Sequence, residues 1–371
     1  MTLSSPATSP LPQRDYPLFD IVVRSRVSVD RNVDGFRFPH LLSAEESTEI
    51  ETILCRAMRG IGFALARVGD MDSGFRSRLA ERELYSRQYL LDEGKYVVLS
   101  PDAILWMAIN DSNHLSIRAS RPGLSLLEAW SDVSGTDDAL EQMLGQHSWA
   151  FDPDIAYLMS RASFCGSGLS AGVTLHTPAL ALSGLAEMAY KRAMEAGFIV
   201  AGAYSSLGVS SGYLFELSLP PVYGDPERTS ITRLDTAARS IAEYERRARA
   251  ELLSSSSWDI LDVIGRAAGS ATCARLVSRD EASDIVSGLR LGLSCGVLEG
   301  MNLAEATELW VSTRIRQTKS DAAPGIQLAD MPGEHAKRIE SNVGEPEAAI
   351  RAYNLRKMAR GIGFTQGYKD V

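Results

Sequence analysis

Short apolar runs with alternating polar positions predict a series of β-strands in the first 220 residues. The clearest pair is 96–99 (YVVL) and 104–109 (ILWMAI), which a Ser-Pro-Asp turn separates. The same pattern predicts strands over residues 19–26, 114–118, 173–176, 198–202 and 213–217. Because tight turns connect antiparallel neighbours, we expect a substantial antiparallel sheet.

Apolar residues at helical spacing predict helices in both halves of the chain. Residues 43–66 have this spacing, and Ser43 followed by Glu46 predicts a capping box at the helix start. A second helix is predicted over 180–196. After a linker at 219–232, helices are predicted over 237–252, 258–268, 278–291 and 345–360, with a polar loop at 317–346.

These elements predict an α+β fold in two parts. We expect a disordered lead-in at residues 1–15, because this stretch is rich in Ser and Pro. A domain of strands and helices is predicted over 16–220, and a helical domain over 233–360.

Composition and charge exclude several classes of protein. The 371 residues are 45% hydrophobic and 23% charged, which is enough apolar material for a sizeable core. Lys and Arg number 38 against 47 Asp and Glu, and the net charge of −9 argues against nucleic-acid and anionic-membrane binding. The first residues have no export signal, and the most apolar window, 285–301, is too short and too charged to span a membrane. We therefore expect a cytoplasmic protein.

Common catalytic and metal-binding motifs are absent from the sequence. It contains no phosphate-binding G-x-x-x-x-G-K-S/T loop and no dinucleotide fingerprint, and G-x-S-x-G does not occur in it as the nucleophile elbow between a strand and a helix. The four cysteines are widely spaced without a C-x-x-C pair, and the five histidines form no metal-ligand pair. We expect no metal site, and we expect the histidines to be structural.

One combination of motifs nevertheless resembles a known family. Residues 25–39 (SRVSVDRNVDGFRFP) are similar to the opening S-x-R-x-R…R-N…G-F-P-F-P segment of the bacterial ATP:guanido phosphotransferases. Four further segments resemble elements of that family in the same order along the chain. They are 110–115 (NDSNHL), 149–158 (WAFDPDIAYL), 166–180 (GSGLSAGVTLHTPAL) and 289–292 (LRLG). The resemblance runs from about residue 16 to 355 and is closest to the McsB-type protein-arginine kinases.

The resemblance implies a guanido-kinase-like catalytic domain with a largely antiparallel sheet flanked by helices, followed by a helical domain of the dimerisation type. Members transfer the γ-phosphoryl group of Mg-ATP to a guanidinium nitrogen. That reaction needs arginines around the phosphates and carboxylates that orient the guanidinium.

Most of the family's functional positions are replaced in this chain. Arg26 matches the first phosphate-binding arginine, but the other four positions that align with such arginines are Ser28, Ser116, Ser170 and Ala201. The positions of the two glutamates are Ser112 and Ser206, and Arg161 stands where the family has cysteine. Losing four charge-assisted contacts would cost roughly 6 kcal/mol or more, a factor of at least ~10⁴ in nucleotide affinity.

The phosphoarginine pocket of McsB-type relatives is similarly altered. The aligned residues are Glu347, Ala348 and Arg351, of which only the arginine matches. We therefore expect a pseudokinase with no intact catalytic residues, which acts as a binding or regulatory partner of other proteins. By resemblance these are an McsA-like activator or the Clp protein quality-control machinery, and the chain is expected to form a homodimer.

Two alternatives remain open from the sequence. In the first, the chain is an active phosphotransferase that uses Mg-ATP, with Arg24, Arg118 and Arg161 as substitute phosphate ligands and Asp111 as the carboxylate. By strand parity, Arg24 shares a face with Arg26, and Arg118 with Ser116. In the second alternative, the emptied cleft binds a different small anion.

Overall fold

The computed structural model describes residues 15–202, 212–255, 258–313 and 346–368. The predicted lead-in at 1–15 and the predicted loop at 317–346 lie outside these ranges, apart from one terminal residue of each. Ser206 lies outside them as well.

An eight-stranded antiparallel sheet organises the first half of the chain, with strand order β2-β3-β4-β5-β1-β8-β10-β9. The strands are β1 (Val22–Arg31), β2 (Ala64–Arg67), β3 (Tyr96–Leu99), β4 (Leu105–Ile109), β5 (Leu115–Pro122), β8 (Leu169–His176), β9 (Ile199–Gly202) and β10 (Leu214–Ser218). Two short two-stranded sheets pair β6 (Phe151–Asp152) with β7 (Ala156–Tyr157), and β11 (Leu298–Glu299) with β12 (Gly363–Phe364). The predicted α+β class with a largely antiparallel sheet is confirmed.

Helices flank the sheet and dominate the second half. Those of the first half are α1 (Ala44–Gly60), α2 (Ser73–Glu81), α3 (Arg87–Leu91), α4 (Leu126–Met143), α5 (Pro178–Leu182) and α6 (Ala186–Glu195). They are followed by α7 (Glu227–Ser254), α8 (Trp258–Cys273), α9 (Arg279–Ser294), α10 (Leu303–Thr313) and α11 (Pro346–Met358). No helix in the described ranges has the length and apolar character needed to cross a membrane.

Local chemistry explains where several elements begin and end. The Ser43 hydroxyl accepts the Glu46 amide at 3.2 Å and the Glu46 carboxylate accepts the Ser43 amide at 2.8 Å, so the predicted capping box is present. The predicted helix over 43–66 is wrong in its last turn, because the chain leaves the helix after Gly60 and enters β2. The predicted helix over 180–196 is two helices, which a turn at Gly184 with φ of +72° separates.

Three hydrophobic clusters hold these elements together. The first lies between one face of the large sheet and helices α1, α4 and α7, and includes Val27, Leu54 and Ile241. The second unites α8 to α11. The third lies on the opposite sheet face, where the α2–α3 segment covers β3 and β4 through residues such as Phe75 and Tyr89. On the adjoining part of this face, over β5, β1, β8 and β10, Ser170 is exposed and the polar side chains of β1 are partly exposed, whereas Ser116 is buried.

A fully buried arginine connects the two halves of the chain. Arg290 of α9 donates to the carbonyl oxygens of Phe19 and of Leu303, at 2.6 Å and 3.0 Å, and its guanidinium lies 5.3 Å from the ring of Trp310. Burial lowers its pKa to about 9. Helix α7 also connects the two parts, because Ile231 near its start packs in the first cluster and Leu252 near its end packs against both the first and the second cluster.

Candidate functional site

The solvent-accessible part of the sheet carries most of the residues that align with the family's functional positions. Alternation along β1 places Arg24, Arg26, Ser28 and Asp30 on this face, with half-buried side chains. The register puts Ser28 between Arg118 of β5 and Ser170 of β8. Further along the face lie Ser116 of β5, Glu216 of β10 and Ala201 of β9. We call this set of residues the open face.

The two arginines of β1 are held by carboxylates from distant parts of the chain. Arg24 forms an ion pair with Glu83, which follows helix α2. Arg26 forms one with Glu216 of β10, and its Nη1 lies 3.8 Å from the Glu83 carboxylate. Both guanidinium groups are therefore occupied by acids of the protein itself.

A second polar network surrounds Arg118. Its Nη2 lies 3.3 Å from the Asp111 carboxylate, and its Nε donates to the Ser116 hydroxyl at 2.9 Å. That hydroxyl donates to Asp30, which also accepts the side-chain amide of Asn113 at 3.1 Å. Removal from water raises the pKa of Asp30, while the bond from Ser116 and the charge of Arg118 act in the opposite direction.

The loop before β5 is fixed by Asn32 and His114, which lie in two of the segments that resemble the family, and their role is structural. Asn32 donates to Asn113 at 2.9 Å and accepts the His114 amide at 2.9 Å. His114 Nδ1 accepts the Val33 amide at 3.0 Å, so its Nε2 carries the proton that bonds to the Arg37 carbonyl. Burial lowers the pKa of His114, which favours the neutral ring. The hydrogen bonds of Asn32 and His114 fix the loop at residues 110–113 beside the open face.

Arg31 has a similar structural function on the opposite face of the sheet. Its guanidinium donates two hydrogen bonds to Asp137 of α4, at 2.6 and 2.9 Å, and lies 3.6 Å from the centre of the Tyr157 ring. The residue is buried. It also donates to the carbonyl oxygen of Ser167 at 3.0 Å, next to the glycine-rich turn before β8. The hydrogen bond to Ser167 fixes the turn before β8, and therefore the position of Ser170 against β1.

Ser112 and Arg161 lie at one end of the open face and are both exposed. Their loops are in contact, because the Ser160 hydroxyl donates to the carbonyl oxygen of Ser112 and to the Asn113 side chain. Arg161 precedes a short 3₁₀ turn and forms no ion pair with the described residues.

The residues aligned with the phosphoarginine pocket belong to the packing of α11. Arg351 is buried and donates to the carbonyl oxygen of Val277 at 2.9 Å, with Glu347 3.7 Å away. Ala348 is buried, and its carbonyl oxygen accepts the Val277 amide at 3.1 Å. The arginine that matches the family motif thus joins α11 to the segment before α9.

Sequence reasoning missed the acids that pair with the arginines. Strand parity could have placed Asp30 on the same face as Arg26. Glu83 and Glu216 lie in no recognisable motif, so the sequence gives no signal for them. Three arginines of the open face meet four carboxyl groups, those of Asp30, Glu83, Asp111 and Glu216. A triphosphate needs a surplus of positive charge, so these residues do not fit Mg-ATP. In the described ranges no three His, Cys, Asp or Glu side chains are grouped as a metal site.

Comparisons with known proteins agree with this architecture. Residues 46–248 match the model of the ATP:guanido phosphotransferase C-terminal catalytic domain. The chain is 33% identical to the protein-arginine kinase of Symbiobacterium thermophilum over 80% of its length and 85% of the relative's. It is 33% identical to that of Pelotomaculum thermopropionicum over 81% and 86%, respectively.

Solved structures with the same fold are far more distant in sequence. Lombricine kinase superimposes with a TM-score of 0.55 at 14% identity, over 67% of this chain and 76% of the other. The duplicated taurocyamine kinase from Schistosoma mansoni gives 0.53 at 18% identity, over 74% and 37%. The fold is therefore that of the guanidino kinases. Together with the match over residues 46–248 and the one-third identity to protein-arginine kinases, it makes this chain a member of the ATP:guanido phosphotransferase family.

Proposed function

We propose that this chain is a catalytically silent homologue of the protein-arginine kinases, a pseudokinase that acts by binding other proteins. The observation that carries the proposal is the charge balance of the open face. Arg24, Arg26 and Arg118 are paired with acids of the chain. At the four other positions that align with phosphate-binding arginines the side chains are small and neutral.

Neutral side chains cannot replace the missing charges. The hydroxyls of Ser28, Ser116 and Ser170 can each donate one hydrogen bond, and Ser116 already donates its proton to Asp30. Ala201 offers no polar group at all. A single arginine at a phosphoryl-transfer transition state is worth ~10³–10⁵ in rate, so the loss of several should abolish turnover.

The experiment is a phosphotransfer assay on the full-length protein. The protein would be incubated with Mg-ATP and an arginine-rich protein substrate, and phosphoarginine would be measured by mass spectrometry, with and without an McsA-like activator. The protein-arginine kinase of Symbiobacterium thermophilum provides the positive control. We expect no phosphoarginine above the no-enzyme background, and formation of phosphoarginine by this chain would refute the proposal.

A second candidate is an active phosphotransferase with a rebuilt site. One observation favours it: Arg24, Arg26 and Arg118 share a sheet face, and Asp111 lies beside Arg118. Asp111 would then orient the guanidinium substrate. If the assay shows activity, its loss in Asp111→Asn would assign that role, and an unchanged rate in this variant would exclude it.

The location and the partners of the protein are proposed by analogy with the family. We propose a cytoplasmic homodimer that associates with an McsA-like activator or with the Clp machinery. Co-purification of the tagged chain with these proteins, together with light scattering of the purified chain, tests both parts. A monomer, or a chain that captures neither protein, would contradict them.

A further inference from the structure

Glu83 occupies an unusual backbone position at the edge of the open face. It lies between α2 and α3 with φ of +57°, in the left-handed region that non-glycine residues rarely adopt. Such a conformation costs free energy and persists only where surrounding contacts hold it. Here it directs the carboxylate of Glu83 to Arg24 and to within 3.8 Å of Arg26.

The neighbouring residues hold this turn in place. Arg82 forms an ion pair with Glu308 of α10 at 3.0 Å, and Leu84 is buried in the third cluster. Consecutive residues therefore attach the turn to the second half of the chain, to the open face and to the core. The Glu83 carboxylate is in this way presented to the arginines by a braced turn.

Glu216 reaches Arg26 across an intervening strand. Arg26 pairs in register with Gly172 of β8, and β10 lies on the far side of β8. A Cβ atom at Gly172 would lie 3.0 Å from the Glu216 carboxylate, closer than ordinary contacts between such atoms. The absence of a side chain at this position gives the Arg26–Glu216 pair the space to form above the strand.

We propose that Glu83 and Glu216 are specificity-determining residues that act as internal counter-ions and exclude phosphate anions from the open face. They occupy the guanidinium forks of Arg24 and Arg26, the groups with which an incoming polyphosphate would form its ion pairs. They also add negative charge beside the position such an anion would take. The inference concerns the same face as the proposed function and explains why the surviving arginines do not bind nucleotide.

The test is a gain of anion binding when both carboxylates are removed from the full-length protein. The variant Glu83→Asn with Glu216→Gln is suitable, because asparagine tolerates positive φ better than most residues and glutamine preserves shape. Glu243→Gln with Asp262→Asn is the matched control. It removes the same charge from two exposed ion pairs, at 3.8 and 2.7 Å, on α7 and α8. Binding of inorganic tripolyphosphate and of Mg-ATP would be measured by calorimetry.

We expect the open-face variant to bind tripolyphosphate about tenfold more tightly than the wild type and the control, since each of the two partly exposed ion pairs is worth about a threefold factor. The inference is overturned if the folded variant, with an unchanged circular dichroism spectrum, binds no more tightly than the control. If the double variant does not fold, Glu216→Gln alone decides the question, with an expected gain of about threefold.

The outcome is separable from that of the phosphotransfer assay. Phosphoarginine formed by the wild type would refute the pseudokinase proposal whatever the variants bind. An inactive wild type together with no gain of binding in the variants would refute only the assignment of Glu83 and Glu216.

Discussion

Replacing Glu81 with glutamine should stabilise the protein at neutral and alkaline pH but leave its stability at acidic pH unchanged. Glu81 is the last residue of α2, on the segment that covers β3 and β4, and only 8% of it is exposed. Burial raises the pKa of its carboxyl from 4.5 to about 7, although the Ser77 hydroxyl, which donates to it at 3.2 Å, and three nearby arginines act in the opposite direction.

The sign and the magnitude follow from proton linkage. The folded protein holds the Glu81 proton more tightly than the unfolded chain does, so its free energy of unfolding falls as the pH rises from 4.5 to about 7. A difference of about 2.5 between the two pKa values corresponds to about 3 kcal/mol. Because so little of the residue is exposed, solvent screening reduces this value only modestly.

The assay is urea unfolding of the wild type and Glu81→Gln over the range from about pH 4.5 to about pH 8. Other groups titrate equally in both proteins, so the difference in unfolding free energy isolates Glu81. It should be near zero at the acidic end and grow to at most about 3 kcal/mol in favour of the variant above pH 7. Glu243→Gln, which removes an exposed carboxylate from α7, is the matched control. A difference that does not change with pH would refute the reasoning.

Three further substitutions test the packing that positions the site. Asp137→Ala should lower the free energy of unfolding by about 3–5 kcal/mol, because it leaves the buried Arg31 guanidinium without its carboxylate; a loss below about 1 kcal/mol in urea unfolding would contradict this. Gly300→Ala should lower the melting temperature sharply, because a Cβ there would lie 1.9 Å from the Gly361 carbonyl oxygen at φ of +95°, and an unchanged melting curve would be inconsistent with that contact. Ser43→Ala should cost about 1 kcal/mol by removing the cap of α1, and a fully stable variant would show that the cap contributes nothing.

The periodicity of apolar residues predicted an element correctly where one face of it is buried and the other is exposed to solvent. Strand β3 has the predicted bounds, and α9 begins directly after Ser278, the first residue of the predicted helix over 278–291. Helix α4 was not predicted, because polar residues Thr136 and Asp137 are buried on it and interrupt the apolar spacing. Buried polar groups of this kind depend on partners elsewhere in the chain, here Arg31, which a local pattern does not contain.

The same reason limits what the sequence says about the site. Motifs located Arg26 and the serines, and strand parity predicted which of these residues share a face of the sheet. Both depend only on the local sequence. The acids that pair with Arg24 and Arg26 come from 59 and 190 residues away, and their approach depends on a braced turn and on the register of β8 and β10. The sequence alone therefore showed which arginines are missing. The ion pairs of the remaining arginines could be identified only from the structure.

The central claim, that the open face does not bind nucleotide, is tested most directly by calorimetric titration of the full-length protein with Mg-ATP. The protein-arginine kinase of Symbiobacterium thermophilum, titrated under the same conditions, provides the comparison. The account predicts no saturable heat for this chain up to roughly millimolar nucleotide. Saturable binding with an affinity similar to that of the relative would contradict it.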